Sequence, residues 1–230
     1  MIPAEGEAAV PSPERKRAPR LPAVERREQI LDAAIELFAE TGYRDASTAA
    51  LAARLGVAEP TLYRHFPTKR ALYLATLDRS AEVYFGQWRA IAEAAPTPLD
   101  ALLGMGQWYF EQLTGEPRHL LLRFRSFAHA DDEAIAGRVR HHFMEAFRFV
   151  EGLYEGARAR GQIAAETDVR VHTWLFMAIG ALLDATQIMG LRHELRLEDM
   201  PSIMAVAWPA PEPRNPATRP RRKRIVRRKR

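Results

Sequence analysis

The chain has 230 residues, a hydrophobic content of 47% and a formal net charge of +5, which suits a globular protein with a sizeable buried core. It contains no cysteine, which excludes disulfides and thiolate metal sites. No uninterrupted apolar run reaches the ~18 residues of a membrane span, and acids and prolines occupy the stretch where a signal peptide would be apolar. We therefore expect a cytoplasmic protein that does not enter a membrane.

The net charge is concentrated in the C-terminal tail. Residues 209–230 contain 10 basic and 1 acidic residues, whereas residues 74–208 contain 13 basic and 18 acidic residues. Proline and dense charge in residues 1–24 and 209–230 predict two disordered tails. Either tail could be an inert solubilising segment or a basic arm that contacts phosphates and raises salt sensitivity. The overall basicity is therefore poor evidence for a DNA-binding domain.

The first predicted helix covers residues 25–40. Ile30, Ala34 and Leu37 recur at helical spacing with charged residues between them. Gly42 follows, where glycine is typical of a helix end. The pattern indicates an amphipathic helix with one buried face.

A helix-turn-helix follows. Ser47 is a suitable N-cap for a helix beginning at Thr48, and Gly56 lies where the chain must turn. Pro60 falls in the first turn of the next short helix, where a missing N–H is tolerated, and Thr68 caps a third helix. Together with the first helix, these segments predict a compact trihelical unit whose short second helix can enter a DNA groove.

The run LGVAEPTLYRHFPTKRALY, from Leu55 to Tyr73, closely resembles the DNA-binding domain of the TetR (tetracycline repressor) family of bacterial transcriptional regulators. The resemblance implies an all-α protein, with a three-helix DNA-binding domain at residues 25–73 and a helical ligand-binding and dimerisation domain at residues 74–208. It implies a homodimer that binds a double-stranded DNA operator and a small-molecule effector, with no enzymatic activity and no cofactor.

The candidate DNA-binding residues are Thr48, Glu59, Pro60, Thr61, Tyr63, Arg64, His65 and Lys69. The hydroxyl and backbone amides of Thr48, at a helix N-terminus, suit a phosphate. The resemblance implies that Tyr63 and Lys69 also bind phosphates. Pro60 and Thr61 would reach base edges, where a threonine methyl can touch a thymine methyl.

Three neighbouring residues leave alternatives open. Glu59 could accept from a cytosine amine, or it could simply be an acid favoured by the helix dipole. Arg64 could contact DNA or remain solvated, and the resemblance places His65 beside the phosphate contacts. Ala49 departs from family members that carry a long polar residue there, so the preferred bases stay open.

Five further helices are predicted in the C-terminal part. They cover about residues 69–94, 99–113, 119–130, 132–160 and 168–191, and residues 195–208 could add a last short helix. Asp131 or Asp132 would cap the fourth of them, Gly161 would end it, and Asp168 would cap the fifth. The helix from Asp168 is almost entirely apolar in its middle, which predicts burial on most sides.

The C-terminal helices supply candidate residues for an effector pocket and a dimer interface. The pocket candidates are Trp88, Trp108, Phe124, Phe127, Phe143, Phe147, Trp174 and Met177. The dimer-interface candidates are Val150, Tyr154, Ala178, Ala181, Leu182, Ala185 and Met189. Most of the aromatic residues could instead be ordinary core, and the two long helices could pack within one subunit. Mixed apolar walls suit an apolar or amphipathic ligand.

Two functions compete for this chain. The first is a ligand-responsive repressor released from a palindromic operator by a small effector. The alternative is an effector-independent structural DNA-binding protein that uses its basic C-terminal tail. We find no phosphate-binding glycine loop, nucleophile elbow or metal-ligand spacing in the sequence, so an enzyme is disfavoured.

Overall fold

The computed structural model describes residues 22–115, 118–129, 131–194, 196–199 and 202–203. These residues form an all-α fold, as predicted, and no strand occurs among them. The α-helices are α1 (Ala23–Asp45), α2 (Thr48–Arg54), α3 (Glu59–His65), α4 (Lys69–Ala94), α5 (Pro98–Thr114), α6 (Arg118–Ser126), α7 (Glu133–Ala159) and α8 (Val169–Ile188). Short 3₁₀ turns cover Phe127–His129, Arg192–Glu194 and Leu197–Asp199.

Local capping chemistry sets the ends of the N-terminal helices. The Ser47 side chain accepts from the backbone N–H of Ala50 at 3.3 Å, and the Thr68 side chain accepts from Ala71 at 3.0 Å. Gly42 has φ 80° and interrupts α1, while Gly56 has φ 64° in the turn before α3. Both positions need the left-handed region that glycine tolerates.

The N-terminal tail is shorter than predicted. The helix α1 begins at Ala23, because Pro22 acts as its N-cap residue and its carbonyl accepts from the Arg26 N–H at 3.0 Å. The prediction of disorder is therefore wrong for Ala23 and Val24. The rest of that tail, the C-terminal tail and most of the predicted helix at 195–208 lie outside the described residues.

The first of two apolar cores lies among α1, α2, α3 and the start of α4. Leu122 of α6 and Ile135 of α7 are also fully buried in it. At the surface of the same contact, Arg118 donates to Glu36 at 2.6 Å. The three-helix unit is thus packed firmly against α6 and α7.

The second core lies among α4, α5, α7 and α8, with Trp88 and Tyr154 among its largest buried side chains. The helix α4 contributes to both cores, through Tyr73 at one end and Trp88 further along. The predicted domain boundary at residue 73 therefore falls inside a continuous helix. Asp132 and Asp168 cap α7 and α8, as predicted.

Candidate functional site

Two hydroxyl groups and one carboxylate meet where α2 and α3 begin. The Thr48 hydroxyl donates to Glu59 Oε1 at 2.6 Å, and Thr48 Oγ1 lies 3.1 Å from Tyr63 Oη. Tyr63 is 41% exposed. Hydroxyls this close can bind one phosphate group together. Because Thr48 has a single hydroxyl proton, donating it to a phosphate would release the Glu59 carboxylate.

The remaining candidates on α3 lie around a firmly anchored helix. Leu62 is buried on its inner side. Pro60, Tyr63 and Arg64 are exposed, and their spacing of three and four residues places them on one face. Thr61 and His65 are half-buried. The outward face of α3 therefore carries a phenol and a guanidinium on a rigid support.

Lys69 is held at the first turn of α4. Its Nζ donates to the carbonyl oxygen of Arg44 at 2.9 Å and lies 5.1 Å from the centroid of the Tyr43 ring. Burial lowers the pKa of Lys69, with Asp45 opposing the shift. An ammonium group has three donors, so this anchored side chain can also bind a phosphate.

Two cavities adjoin the middle of α4. The first, of about 40 Å³, lies between α4, α6 and α7. The second, of about 30 Å³, lies between α4, α5 and α8. Tyr84 and Arg123 line both cavities. A water molecule needs roughly 10–15 Å³ on this scale, so a larger molecule enters only if the surrounding helices move apart.

Four of the predicted pocket residues line these cavities. Phe127 and Phe143 line the first, and Trp88 and Met177 line the second.

The other four predicted pocket residues line neither cavity, and the structure corrects this prediction. Trp174 is 46% exposed and packs on Phe147 with ring centroids 4.9 Å apart, and neither residue lines a cavity. Phe124 borders a separate open cleft of about 470 Å³ beside the end of α1. Trp108 packs against Tyr84 with ring centroids 5.8 Å apart, but it lines neither cavity.

A buried ion pair forms part of the cavity wall. Tyr109 Oη donates to Asp184 Oδ1 at 2.6 Å, and Arg123 Nη2 donates to Asp184 Oδ2 at 2.8 Å and also to Tyr109 Oη. Asp184 is completely buried. Burial raises the pKa of Asp184, while Arg123 and these hydrogen bonds oppose the shift. The sequence shows only an aspartate in an apolar helix, and its partner could not be identified.

Two histidines also line the first cavity. His119 Nδ1 lies 3.1 Å from Ser80 Oγ, and His142 Nε2 lies 3.1 Å from Asp78 Oδ1. Burial lowers the pKa of both histidines below the ordinary value. Both are therefore neutral at pH 7, and the cavity gains no positive charge from them.

The predicted dimer-interface residues divide into two groups. Val150 and Tyr154 are completely buried in the core of a single chain. They are unavailable to a partner, and the structure corrects their assignment. The remaining candidates are partly or fully exposed on α8 and at its C-cap, namely Ala178, Ala181, Leu182, Ala185 and Met189. Val171, Leu175 and Ile188 extend this exposed apolar face, which is the kind of surface that marks an interface.

The same helix passes a simple test for membrane spanning. Among the described residues, α8 alone is long and apolar enough to cross a bilayer. This is weak evidence, because core helices of soluble proteins pass the same test. Phe176, Met177 and Leu183 of α8 pack in the second core.

Comparison with known proteins connects this geometry to one family. Residues 30–76 match the family model of bacterial regulatory proteins of the tetR family. The transcriptional activator FasR of Mycolicibacterium smegmatis is 48% identical over 67 residues, which are 29% of this chain and 31% of FasR. The transcriptional repressor KstR of the same species is 35% identical over 117 residues, which are 51% of this chain and 57% of KstR.

The likeness of fold extends over most of the chain. The transcriptional regulator FadR of Bacillus subtilis, solved in complex with stearoyl-CoA, superposes with a TM-score of 0.69 at 18% identity, and the match covers 79% of this chain and 97% of FadR. The sequence matches to the curated relatives span about a third to just over half of their length. Residues 30–76 therefore form a DNA-binding domain of the tetR family, with its helix-turn-helix in α2 and α3.

Proposed function

We propose that this chain is a homodimeric transcriptional repressor of the bacterial cytoplasm, released from a palindromic operator by a small apolar or amphipathic effector. The observation that carries the proposal is the continuity of α4. Tyr73 near its start is buried in the core of the DNA-binding unit, and Tyr84 and Trp88 further along line the cavities. One rigid helix therefore belongs to both sites.

The length of α4 converts a small displacement into a useful movement. Tyr84 lies fifteen residues from Lys69, so the two are about 22 Å apart at 1.5 Å per residue. A tilt of about 5° at the cavity would then move the start of α4 by about 2 Å. Two-fold operators require recognition helices about 34–36 Å apart. Because the cavities must widen to admit a ligand, effector binding opposes this spacing.

The DNA contacts follow from the surface around α3. Thr48 and Tyr63 would bind one phosphate and Lys69 another. The first turn of α3, with Pro60 and Thr61, would face the base edges. The exposed apolar face of α8 would pair two chains, which doubles the contacts on a two-fold operator.

The relatives' names support regulation of either sign, since FasR is named an activator and KstR a repressor. We propose repression because ligand entry would move α4 away from the position that gives the operator-bound spacing of the recognition helices. The name of FadR with its bound stearoyl-CoA supports a long apolar ligand in this fold.

Selection of binding sites from a random duplex library tests the proposal. The purified full chain should enrich two-fold symmetric sequences, and fractionated lipid extract should lower affinity for the enriched site. A steep salt dependence without enrichment would instead support the structural DNA-binding protein. Deleting residues 209–230 provides the matched control, because the repressor should keep its sequence preference without that tail.

A further inference from the structure

The two cavities share a polar wall in which one N–H of Arg123 has no hydrogen-bond partner among the described residues. Arg123 and Tyr84 separate them, and the Arg123 guanidinium lies 5.4 Å from the centroid of the Tyr84 ring. Beyond this wall the lining is mainly apolar, with Leu77, Phe85, Leu120 and Phe143 in the first cavity and Met105, Phe176 and Leu183 in the second. A ligand that occupied both cavities would have to pass this one polar point.

Two buried donors at this point have no acceptor. Arg123 Nε and Trp88 Nε1 are both buried, and no described residue accepts a hydrogen bond from either. Both side chains line the second cavity. A buried N–H without a partner is costly, and an acceptor brought by a ligand recovers that cost. The site therefore lacks hydrogen-bond acceptors for these two N–H groups.

The charge of the site is already balanced. Both oxygens of Asp184 accept hydrogen bonds, from Tyr109 and from Arg123, which is the pattern of an ionised carboxylate paired with a guanidinium. His119 and His142 are neutral. An anionic ligand would add an uncompensated charge to a buried site whose one cation already has its counter-ion, and burying an unpaired charge is strongly unfavourable.

We propose that the two cavities are two lobes of one binding site for an uncharged, mainly apolar molecule that carries a carbonyl-type acceptor for Arg123 Nε and Trp88 Nε1. This assignment rests on the proposed effector site and specifies its ligand class. The apolar parts of the ligand would extend into the two lobes, and the carbonyl oxygen would lie at the wall between them. An ester, a ketone or an amide has the required chemistry, whereas a free fatty acid does not.

Three probes of similar chain length test the ligand class. Methyl decanoate carries an uncharged acceptor, decanoate carries a charge, and undecane carries neither. Equilibrium dialysis against the full chain at pH 7.5 measures binding without DNA. We expect methyl decanoate to bind about tenfold or more tightly than decanoate, because decanoate would bring an uncompensated charge into the buried site. Tighter binding of decanoate, or no binding of the ester up to its solubility limit, overturns the proposal.

Two variants identify the donors. Trp88→Phe keeps the ring and removes the Nε1–H, so it should weaken methyl decanoate several-fold and leave undecane unchanged. The double variant Arg123→Met with Asp184→Leu removes the charge pair together and should lower the ester-to-undecane affinity ratio about tenfold. Thermal melting establishes that each variant is folded. An unchanged ratio in both variants shows that neither donor binds the ligand and contradicts the assignment.

Operator binding separates this inference from the proposed function. If the ester binds as expected but changes no affinity for a selected operator, the ligand class stands and the effector mechanism fails. If decanoate is preferred and also releases the operator, the mechanism stands and the ligand class fails.

Discussion

Replacing Tyr63 with phenylalanine tests the proposed DNA-contacting surface by removing a single hydroxyl group. Tyr63 is 41% exposed, and its hydroxyl lies 3.1 Å from Thr48 Oγ1. The substitution keeps the ring and the helix and removes only the hydroxyl. The folded chain loses at most one solvent-exposed hydrogen bond, so we expect its melting temperature to stay almost unchanged.

The expected loss of operator affinity follows from the proposed phosphate contact of Tyr63. A hydrogen bond to a charged group contributes about 1.5–3 kcal/mol. A two-fold dimer loses two of them, or about 3 kcal/mol at the lower limit, which corresponds to a loss of roughly a hundredfold. Because the hydroxyl is uncharged, the slope of log affinity against log salt should not change.

The assay is fluorescence anisotropy with a labelled operator over a salt series. Lys69→Met is the matched comparison, because removing a cation should reduce the magnitude of the salt slope by about 0.9 per subunit. Arg170→Met provides a control on α8, outside the DNA-binding domain. If Tyr63→Phe changes affinity less than about threefold, the hydroxyl does not bind phosphate and the assignment of this surface is wrong.

Three further substitutions test the rest of the account. The Leu182 side chain is 58% exposed on α8, so Leu182→Glu should give a monomer by light scattering and abolish operator binding. Leu103→Glu, at an exposed leucine of α5, is the control and should remain a dimer. A dimeric Leu182→Glu protein would exclude this interface. Asp184→Leu should lower the free energy of unfolding by about 3–5 kcal/mol, because it leaves the Arg123 charge buried without a partner. Adding Arg123→Met should restore most of that loss. Equal destabilisation of the single and the double variant in urea titrations would contradict the buried pair. Burial lowers the pKa of His119, so the unfolded chain binds more protons and the free energy of unfolding should fall as pH drops below about 6.5. His119→Gln should make the slope of this free energy against pH shallower by up to one proton per chain. An identical slope would show that His119 titrates normally.

The helix ends could be predicted because their causes are local. Ser47, Thr68, Asp132 and Asp168 each accept hydrogen bonds from backbone groups two or three residues away. A cap needs only the neighbouring sequence, so a single chain without relatives reveals it. The same holds for Gly56, whose positive φ is a property of the turn itself.

The cavity wall could not be predicted, because its parts are distant in sequence. Arg123 and Asp184 are separated by 61 positions, and Tyr109 and Asp184 by 75. No periodicity connects such residues. The prediction from aromatic content recovered Trp88, Phe127 and Phe143 as cavity residues, but it also included Trp174, which is 46% exposed and lines neither cavity.

The proposed dimer face shows a different limit of sequence patterns. Both Val150 and Leu182 lie on apolar stripes, but Val150 is completely buried within the chain and Leu182 is 58% exposed. An apolar stripe indicates that a helix face is covered, and it does not indicate whether the same chain or a second copy covers it. Only the packing of α7 against α4, α5 and α8 separates the two cases.

The central claim is that two copies of this chain present α3 to DNA with a fixed separation. Because the sequence contains no cysteine, Ala53→Cys places a single spin label on the exposed side of α2 in each copy. Electron–electron dipolar spectroscopy on the selected operator should give one narrow distance, which broadens or shifts when an effector is added. An unchanged distance between the two spin labels under saturating effector, with full dipolar modulation, would contradict the release mechanism. The absence of dipolar modulation on DNA would contradict the dimer itself.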